Sequence, residues 1–198
     1  MSWDERFSTP DYLFGTEPAE FLPRVIGLVP ESAQLLFLAD GEGRNSAWAA
    51  GQGYRVAAME QSPVALTKAR ALDRQRGVQV ERRQADILDW DWSEQFDAII
   101  GIFIQFSPPD ERHLIHQGIR RAVRPGGLVL LHGYAPRQVD YGTGGPPCAE
   151  NMYELDDLRA DFAGWKVLRA IDYDAVIAEG AGHDGRSALV DFIALNPG

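Results

Sequence analysis

The fold of this chain is decided by the stretch Leu35-Leu36-Phe37-Leu38-Ala39-Asp40-Gly41-Glu42-Gly43-Arg44-Asn45-Ser46. Its first five residues are apolar and have the character of a buried β-strand. A Gly-x-Gly turn follows at Gly41 and Gly43, and a helix-like segment begins after it. A strand, a glycine turn and a helix start in this order form a backbone cradle for a nucleotide-like ligand. We expect the second glycine to let the backbone approach that ligand, because a Cβ there would occupy the ligand's place.

A carboxylate in the next strand-like run strengthens this interpretation. Glu60 lies 19 residues beyond Gly41 and directly follows the run Tyr54–Met59. At that place a carboxylate can accept hydrogen bonds from both hydroxyls of a ribose. Asp86 follows the third strand-like run in the same way. Because open α/β sheets bind ligands at the carboxyl ends of their strands, these positions predict one shared site.

Composition limits the function classes. The chain has 198 residues, of which 45% are hydrophobic and 24% are charged, as is typical of one globular domain. The formal net charge of −10 argues against general nucleic-acid binding, which needs a basic face. The single cysteine, Cys148, excludes an intrachain disulfide and a multi-cysteine metal site, and we predict no metal site. With no apolar run of membrane-spanning length and no signal-like segment after Met1, we expect a cytoplasmic protein without a membrane partner.

Strand-like and helix-like segments alternate along the chain, which favours an α/β sheet with parallel strands. We predict strands at Leu35–Ala39, Tyr54–Met59, Val78–Gln84, Phe96–Phe103 and Gly127–Gly133, and helices at Gly43–Gln52, Pro63–Arg76 and Pro109–Val123. Ser62 is expected to cap the second helix, with Pro63 at its first position. Ser107 is expected to start the third helix in the same way.

The pattern changes after the fifth strand and before the first. We predict a Gly- and Pro-rich loop over Ala135–Ala149, a short helix over Glu154–Phe162, a hairpin of Trp165–Ile177 with Ser187–Leu195, and an N-terminal arm from Trp3 to Leu22 whose last part joins a helix over Pro18–Val29. The loop leaves the carboxyl end of the fifth strand, so we interpret it as a lid over a substrate. The sixth strand is expected to run parallel to the others, which places the hairpin turn at the ligand edge.

Alternating units followed by a terminal hairpin resemble the class I S-adenosylmethionine-dependent methyltransferases. The arm motifs Trp3–Phe7 and Tyr12–Pro18, with the turn Gly41–Ser46, resemble the tellurite-resistance and thiopurine methyltransferase branch. The resemblance covers nearly the whole chain. It implies a Rossmann-like, doubly wound α/β fold with a seven-stranded, mostly parallel sheet and a C-terminal antiparallel hairpin. It also implies one domain over residues 1–198, in which residues 1–30 form an arm and helix that fold over the cofactor.

The resemblance implies S-adenosylmethionine as the cofactor and assigns contacts to it. The backbone of Asp40, Gly41 and Gly43 would face the methionine part. Glu60 would hold the ribose. Gln61 beside it would line the adenine site.

The same resemblance assigns the other side of the cofactor. Asp86 would meet the adenine amine, and Ile87 would lie against the ring. Ile102 and Phe103, which end the fourth strand, would close the opposite side. The sequence Arg-Pro-Gly-Gly at 124–127 matches the turn that these enzymes commonly carry before the fifth strand.

The glycine turn departs from the family pattern at two positions. The family usually has an acid four residues before the middle glycine and a glycine two residues before it. Here those positions hold Phe37 and Ala39. The usual anchoring of the loop and of the methionine amine therefore lacks its acid. Our hypothesis is that Asp40 supplies that charge from a neighbouring position.

Polar and aromatic residues near the predicted ligand edge are candidates for the acceptor pocket. We assign Tyr12, Gln105, Phe106, His132 and Tyr134 to it. An acceptor that is not already ionised needs a general base, for which the candidates are His132 and His183.

The remaining histidines and the cysteine receive structural interpretations. His113 and His116 lie three residues apart and share a helix face, so they are interpreted as a solvated pair. Cys148 has no activating base nearby in sequence, which argues against a catalytic thiol. The aromatic residues of the arm either hold it to the body of the protein or contact the cofactor.

The sequence therefore favours methyl transfer from S-adenosylmethionine to a small-molecule acceptor, such as a thiol or a chalcogen oxyanion. Two alternatives stay open. One is a non-catalytic S-adenosylmethionine-binding sensor. The other is an NAD(P)-dependent oxidoreductase, although its fingerprint needs a third glycine where Ser46 stands. The oligomeric state is not predicted.

Overall fold

In the computed structural model, residues 2–180 and 182–198 are described. The strands are β1 (Gln34–Leu38), β2 (Arg55–Glu60), β3 (Glu81–Gln84), β4 (Phe96–Ile102), β5 (Val123–Tyr134), β6 (Lys166–Ala178) and β7 (Asp184–Leu195). They form one seven-stranded sheet in the order β3-β2-β1-β4-β5-β7-β6. Since the winding reverses between the neighbouring strands β1 and β4, this sheet has a topological switch point there.

Strand directions confirm the predicted fold class. The pairings β1–β2, β1–β4, β2–β3 and β4–β5 are parallel. β7 is antiparallel to both β5 and β6, so β6 runs in the direction of the parallel strands. The sheet is mostly parallel with one antiparallel strand, and the turn of the β6–β7 hairpin lies at the carboxyl edge. Ala181, within the predicted hairpin turn, lies outside the described residues.

Helices cover both faces of the sheet. They are α1 (Trp3–Phe7), α2 (Phe21–Val25), α3 (Arg44–Gly51), α4 (Pro63–Arg76), α5 (Pro109–Ala122) and α6 (Leu155–Asp161), with short 3₁₀ turns at Ile26–Leu28, Pro136–Asp140 and Ala149–Asn151. One core cluster joins the sheet to α5 and α6, and a second joins its other face to α2 and α3. None of the helices within the described ranges is long and apolar enough to cross a bilayer.

The helix starts test the predicted caps. The hydroxyl of Ser62 accepts a hydrogen bond from the backbone N–H of Ala65 at 3.2 Å, which confirms that cap. The corresponding prediction for Ser107 is wrong: Pro108 occupies the N-cap position of α5, and proline has no side-chain acceptor to offer there. The acidic Asp110 and Glu111 in the first turn favour the same helix end electrostatically.

The arm contains more structure than the sequence predicted. Ser2 and Glu5 form a capping box that starts α1, in which each side chain bonds the other residue's backbone. The helix predicted over Pro18–Val29 is shorter and consists of α2 followed by a 3₁₀ turn. The third strand also begins later than predicted, at Glu81.

Candidate functional site

A cavity of about 560 Å³ opens at the carboxyl ends of the parallel strands. Its floor and walls include residues from the ends of β1, β2 and β4, the segment after β3, and Tyr134 at the end of β5. The arm contributes Trp3, Arg6, Phe7 and Phe14 from above. This volume lies in the range of small-molecule and cofactor sites.

Eight of the nine residues assigned to the cofactor line this cavity. They are Asp40, Gly41, Glu60, Gln61, Asp86, Ile87, Ile102 and Phe103. The one that does not is Gly43. The sequence therefore brings strand-end residues from four segments to one place.

Glu60 joins the glycine turn to the end of β2. Its Oε2 accepts the backbone N–H of Gly41 at 2.9 Å, and its Oε1 accepts that of Ser62 at 2.9 Å. Burial raises the pKa of Glu60. Each carboxylate oxygen has a further lone pair, so a fixed carboxylate lies in the cavity wall with capacity for two hydroxyl donors.

Gly43 has a different environment from the one expected. A Cβ on this residue would lie 2.5 Å from Nη2 of Arg82 and 2.8 Å from Cβ of Ala69, with φ at +89°. The absent side chain leaves room for protein atoms beneath the turn, and Gly43 is not in the cavity lining. The expectation that a Cβ there would meet a ligand is therefore wrong.

Asp40 lies in the cavity wall with a buried carboxylate. Its Oδ2 accepts the hydroxyl of Ser46 and pairs with Nη1 of Arg82 at 2.9 Å. Its Oδ1 is buried without a partner among the described residues. Burial raises the pKa of Asp40, and the Arg82 guanidinium opposes that shift.

The two departures from the family pattern are visible in the backbone and in the core. Phe37 is buried in the core beneath the cavity. Ala39 has a φ of +43°, in the left-handed region that favours glycine, and its N–H points at Sδ of Met59 at 3.2 Å. β1 therefore supplies an apolar floor, and the nearest acid of this segment is Asp40.

Two residues after β3 lie where the adenine was expected. Ile87 is buried, whereas Asp86 is exposed at the cavity rim and its Oδ1 accepts the backbone N–H of Leu88 at 2.9 Å. Gln61, also exposed, lies nearby at the rim. With Ile102 in the opposite wall, this end of the cavity offers apolar surfaces and a polar rim.

Three of the five residues assigned to the acceptor pocket line the cavity, namely Gln105, Phe106 and Tyr134. Tyr12 does not, because its hydroxyl donates to the backbone oxygen of Lys68 on α4 at 3.0 Å. The side chain of Gln105 is also occupied, since it bonds the backbone of Tyr134 through both its ends.

His132 lies behind the cavity wall. Its Nδ1 lies 2.7 Å from Oδ1 of Asp191, and its ring stacks on Phe21 at 4.7 Å. Phe103 covers it on the cavity side, with ring centroids 4.9 Å apart. His132 is not in the cavity lining, which gives it no direct path to an acceptor.

His183 lies in the cavity wall beside Tyr134. The Tyr134 hydroxyl and Nδ1 of His183 form a hydrogen bond, and the imidazole stacks on Phe103 at 4.2 Å. Burial, helped by Arg44, lowers the pKa of His183 to about 3. Burial also raises the pKa of Tyr134 far above its usual value. His183 is thus neutral near pH 7 and is too weak a base to take a proton from an acceptor.

The contacts that hold the arm over the cavity were not predicted from the sequence. Arg44 pairs with Glu179 at 2.7 Å, both side chains being buried, and it donates to the backbone oxygen of Phe14 at 3.1 Å. Glu42 accepts the backbone N–H of Leu13 at 2.7 Å. These partners are far apart in the chain, so no local pattern reveals them.

The other histidines and the cysteine lie away from this chemistry or at its edge. The solvated-pair interpretation is wrong for His116, which is buried; both it and His113 hydrogen-bond the carboxylate of Asp161. No metal-binding group of three His, Cys, Asp or Glu side chains occurs within residues 2–180 and 182–198. Cys148 is exposed and lies at the cavity.

Comparisons with known proteins agree with this geometry. Residues 36–127, a little under half of the chain, match the family model described as a methyltransferase domain. No curated protein matches the chain.

Solved structures share the fold across most of the chain. A structure from work on the conversion of a disulfide bond into a thioacetal group during echinomycin biosynthesis has 21% identity and a TM-score of 0.78, covering 98% of this chain and 87% of that one. N-methyltransferase NodS from Bradyrhizobium japonicum WM9, in complex with S-adenosyl-L-homocysteine, has 12% identity and a TM-score of 0.75, covering 99% and 97%. TehB from Haemophilus influenzae has 15% identity and a TM-score of 0.74, covering 90% and 62%.

The chain therefore has the fold of S-adenosylmethionine-dependent methyltransferases, and its residues 36–127 match the methyltransferase-domain model. This finding agrees with the cofactor expected from the sequence. TehB, at 15% identity, shows the fold alone, so the tellurite-resistance and thiopurine branch stays a prediction from the sequence.

Proposed function

We propose that this protein is an S-adenosylmethionine-dependent methyltransferase that acts on a small acceptor, with the whole chain forming one domain. One observation carries the proposal. A single cavity joins the Glu60 carboxylate and the glycine turn to an aromatic chamber beneath the arm. Such a cavity can hold a nucleoside-bearing methyl donor and a small acceptor side by side.

The residues present fit S-adenosylmethionine. Glu60 has free acceptor capacity for the ribose hydroxyls, and Ile87 and Ile102 offer apolar surfaces for the adenine. The buried, unpartnered Oδ1 of Asp40 is an acceptor for the ammonium group of the methionine part. When bound, the cofactor supplies a methyl group on a sulfonium, which is already a good leaving group.

The chain's own contribution is to align the acceptor and exclude water. Trp3, Phe7 and Phe14 cover the cavity from the arm, and the ring of Phe103 lies in its wall. The Phe103 ring stacks on the imidazole of His183 and meets that of His132 edge to face. Fixed orientation and exclusion of water account for much of the rate gain in a transfer of this kind.

We propose further that the acceptor reaches the site already deprotonated, as a thiolate or a chalcogen oxyanion. The phenol of Tyr134 donates to Nδ1 of His183, because imidazole nitrogen is the better acceptor, so the proton of His183 is on Nε2. His183 then offers a donor rather than a base. Arg6, whose guanidinium lies 4.4 Å from the Trp3 ring centroid, adds positive charge to the cavity lining. Both groups favour an anion.

Calorimetry with S-adenosylmethionine, S-adenosylhomocysteine, NAD and NADP tests the cofactor. We expect binding of the first two only. Substituting Glu60→Gln removes a charged acceptor for the ribose and should weaken the binding of S-adenosylhomocysteine by about tenfold or more. The matched control is Glu81→Gln, an exposed carboxylate on β3, which should leave the affinity unchanged.

Turnover decides between an enzyme and a sensor. We expect methylation of small thiols, selenite or tellurite when each is supplied with S-adenosylmethionine, detected by mass spectrometry. Binding of the cofactor without turnover of any of these acceptors would favour a non-catalytic sensor. The departures of Phe37 and Ala39 from the family pattern are the reason for testing that alternative. Binding of a nicotinamide cofactor alone would refute the proposal.

A further inference from the structure

Arg82 on β3 is a buried cation between two carboxylates. Its side chain is 2% exposed. Nη1 lies 2.9 Å from Oδ2 of Asp40, at the end of β1. Nε and Nη2 each lie 2.7 Å from an oxygen of Asp73, on α4. A guanidinium with two carboxylate partners is held in one orientation by its fork of donors.

This guanidinium lies directly beneath the glycine turn. Nη2 occupies the space next to Gly43, where a Cβ would be only 2.5 Å away. Nη2 also lies 3.2 Å from the hydroxyl of Ser46, which itself bonds Asp40. The turn is therefore supported from below by a side chain of another strand, and only glycine permits this contact.

The charges in this cluster do not balance. With Asp40 and Asp73 ionised, two negative charges surround the single positive charge of Arg82, which leaves one negative charge in a buried place. Oδ1 of Asp40 has no hydrogen-bond partner among the residues that the structure describes. A buried carboxylate oxygen without a partner is costly, and a cationic ligand group would remove that cost.

β1 offers no alternative support, since its residue at the usual acidic position is Phe37. We propose that Arg82 is a positioning residue for the amino-acid part of the cofactor. It holds the Asp40 carboxylate and the turn from 40 to 43 in place, and Asp40 receives the ligand's ammonium group. This inference rests on the proposed function and deepens it.

Two ligands separate this role from a general structural one. S-adenosylhomocysteine carries the amino-acid part, whereas 5′-methylthioadenosine lacks it. We expect Arg82→Lys and Asp40→Asn to raise the Kd for S-adenosylhomocysteine by about tenfold or more, as measured by calorimetry. The Kd for 5′-methylthioadenosine should rise by less than about threefold. Arg83→Lys, on the same strand with partners Glu81 and Glu94, is the matched control and should change neither affinity.

Each outcome of this experiment either supports or overturns the role proposed for Arg82. Unchanged affinity for S-adenosylhomocysteine overturns the inference, and so does an equal loss for both ligands, which would mean that Arg82 only stabilises the fold. Circular dichroism checks folding, and if Arg82→Lys is unfolded, Asp73→Asn takes its place, because it weakens the other carboxylate contact that orients Arg82. If the unmodified protein binds neither ligand, the proposed function itself fails, which is a separate result.

Discussion

Gly43 shows what the absence of one side chain permits. In many nucleotide cradles the second glycine admits the ligand, but here the space next to it is filled by Arg82 and Ala69. The sequence pattern is the same in both cases, because it records only that a Cβ is excluded. The structure shows which atoms exclude it.

Substituting Gly43→Ala should destabilise the protein by about 3 kcal/mol or more, since left-handed backbone strain adds to a collision with packed atoms. Gly53 is the matched control. Its φ of +93° resembles that of Gly43, but nothing lies within 4 Å of its Cβ position. We therefore expect Gly53→Ala to lower the free energy of unfolding, measured by urea denaturation, by only about 1–2 kcal/mol. Equal costs would contradict the role assigned to the packed atoms.

At the scale of elements, Asp161 joins two helices. This carboxylate, at the end of α6, bonds Nδ1 of His113 at 2.7 Å and Nδ1 of His116 at 2.6 Å, both on α5. Burial alone would raise the pKa of Asp161, but the hydrogen bonds from the two imidazoles hold it below its usual range. The pairing fixes α6 on the sheet face that carries α5.

Substituting Asp161→Asn should lower the free energy of unfolding by about 1–3 kcal/mol, because buried His116 loses a charged partner. Asp156→Asn on the same helix is the control. Its carboxylate is 95% exposed and pairs with Arg159 on the surface, so we expect a change of less than about 0.5 kcal/mol. Thermal or urea unfolding measures both. If Asp161→Asn lowers the free energy of unfolding no more than the control does, Asp161 does not join α5 to α6 in the way described.

At the scale of the whole molecule, two buried histidines couple stability to pH. Burial lowers the pKa of His116 and lowers that of His183 to about 3. In the unfolded chain a histidine has a pKa of about 6.5. Above that pH both histidines are neutral in the folded and in the unfolded chain, so their contribution to stability is fully present. Below it only the unfolded chain takes up the protons, so this stability is lost as pH falls.

We expect the free energy of unfolding to fall below about pH 6.5 with a slope that approaches about 1.4 kcal/mol per pH unit for each histidine. His116→Gln and His183→Gln should each remove their share of that slope between pH 6 and 5. A slope unaffected by both substitutions would contradict the assignment.

The fold was predictable because its signals are local. Apolar runs, glycine turns and the Ser62 cap each lie within a few residues, and the topology then places every strand end at one edge. That rule was enough to bring Glu60, Ile87 and Phe103 to the cavity lining. The prediction that Ser107 caps α5 was wrong by one residue, because Pro108 occupies the N-cap position.

The contacts beneath and across the site were not predictable. Arg82 meets Asp40 from another strand, and Arg44 meets Glu179 at a separation of 135 residues. Their pairing depends on where whole elements pack, and an arginine in a sequence gives no sign of its partner. The position of His132 behind Phe103 has the same origin, since Phe103 follows β4 and His132 lies near the end of the neighbouring strand β5.

The arm is fastened at both ends of the cavity that it covers. Leu13 bonds Glu42 of the glycine turn through its N–H and Gly182 of the hairpin through its carbonyl, while Arg44 holds Phe14. Lifting the arm as a whole therefore requires all of these bonds to break. For a molecule that enters and leaves past the arm, the lifetime of the closed arm, rather than the affinity of any single contact, sets how long that molecule stays bound.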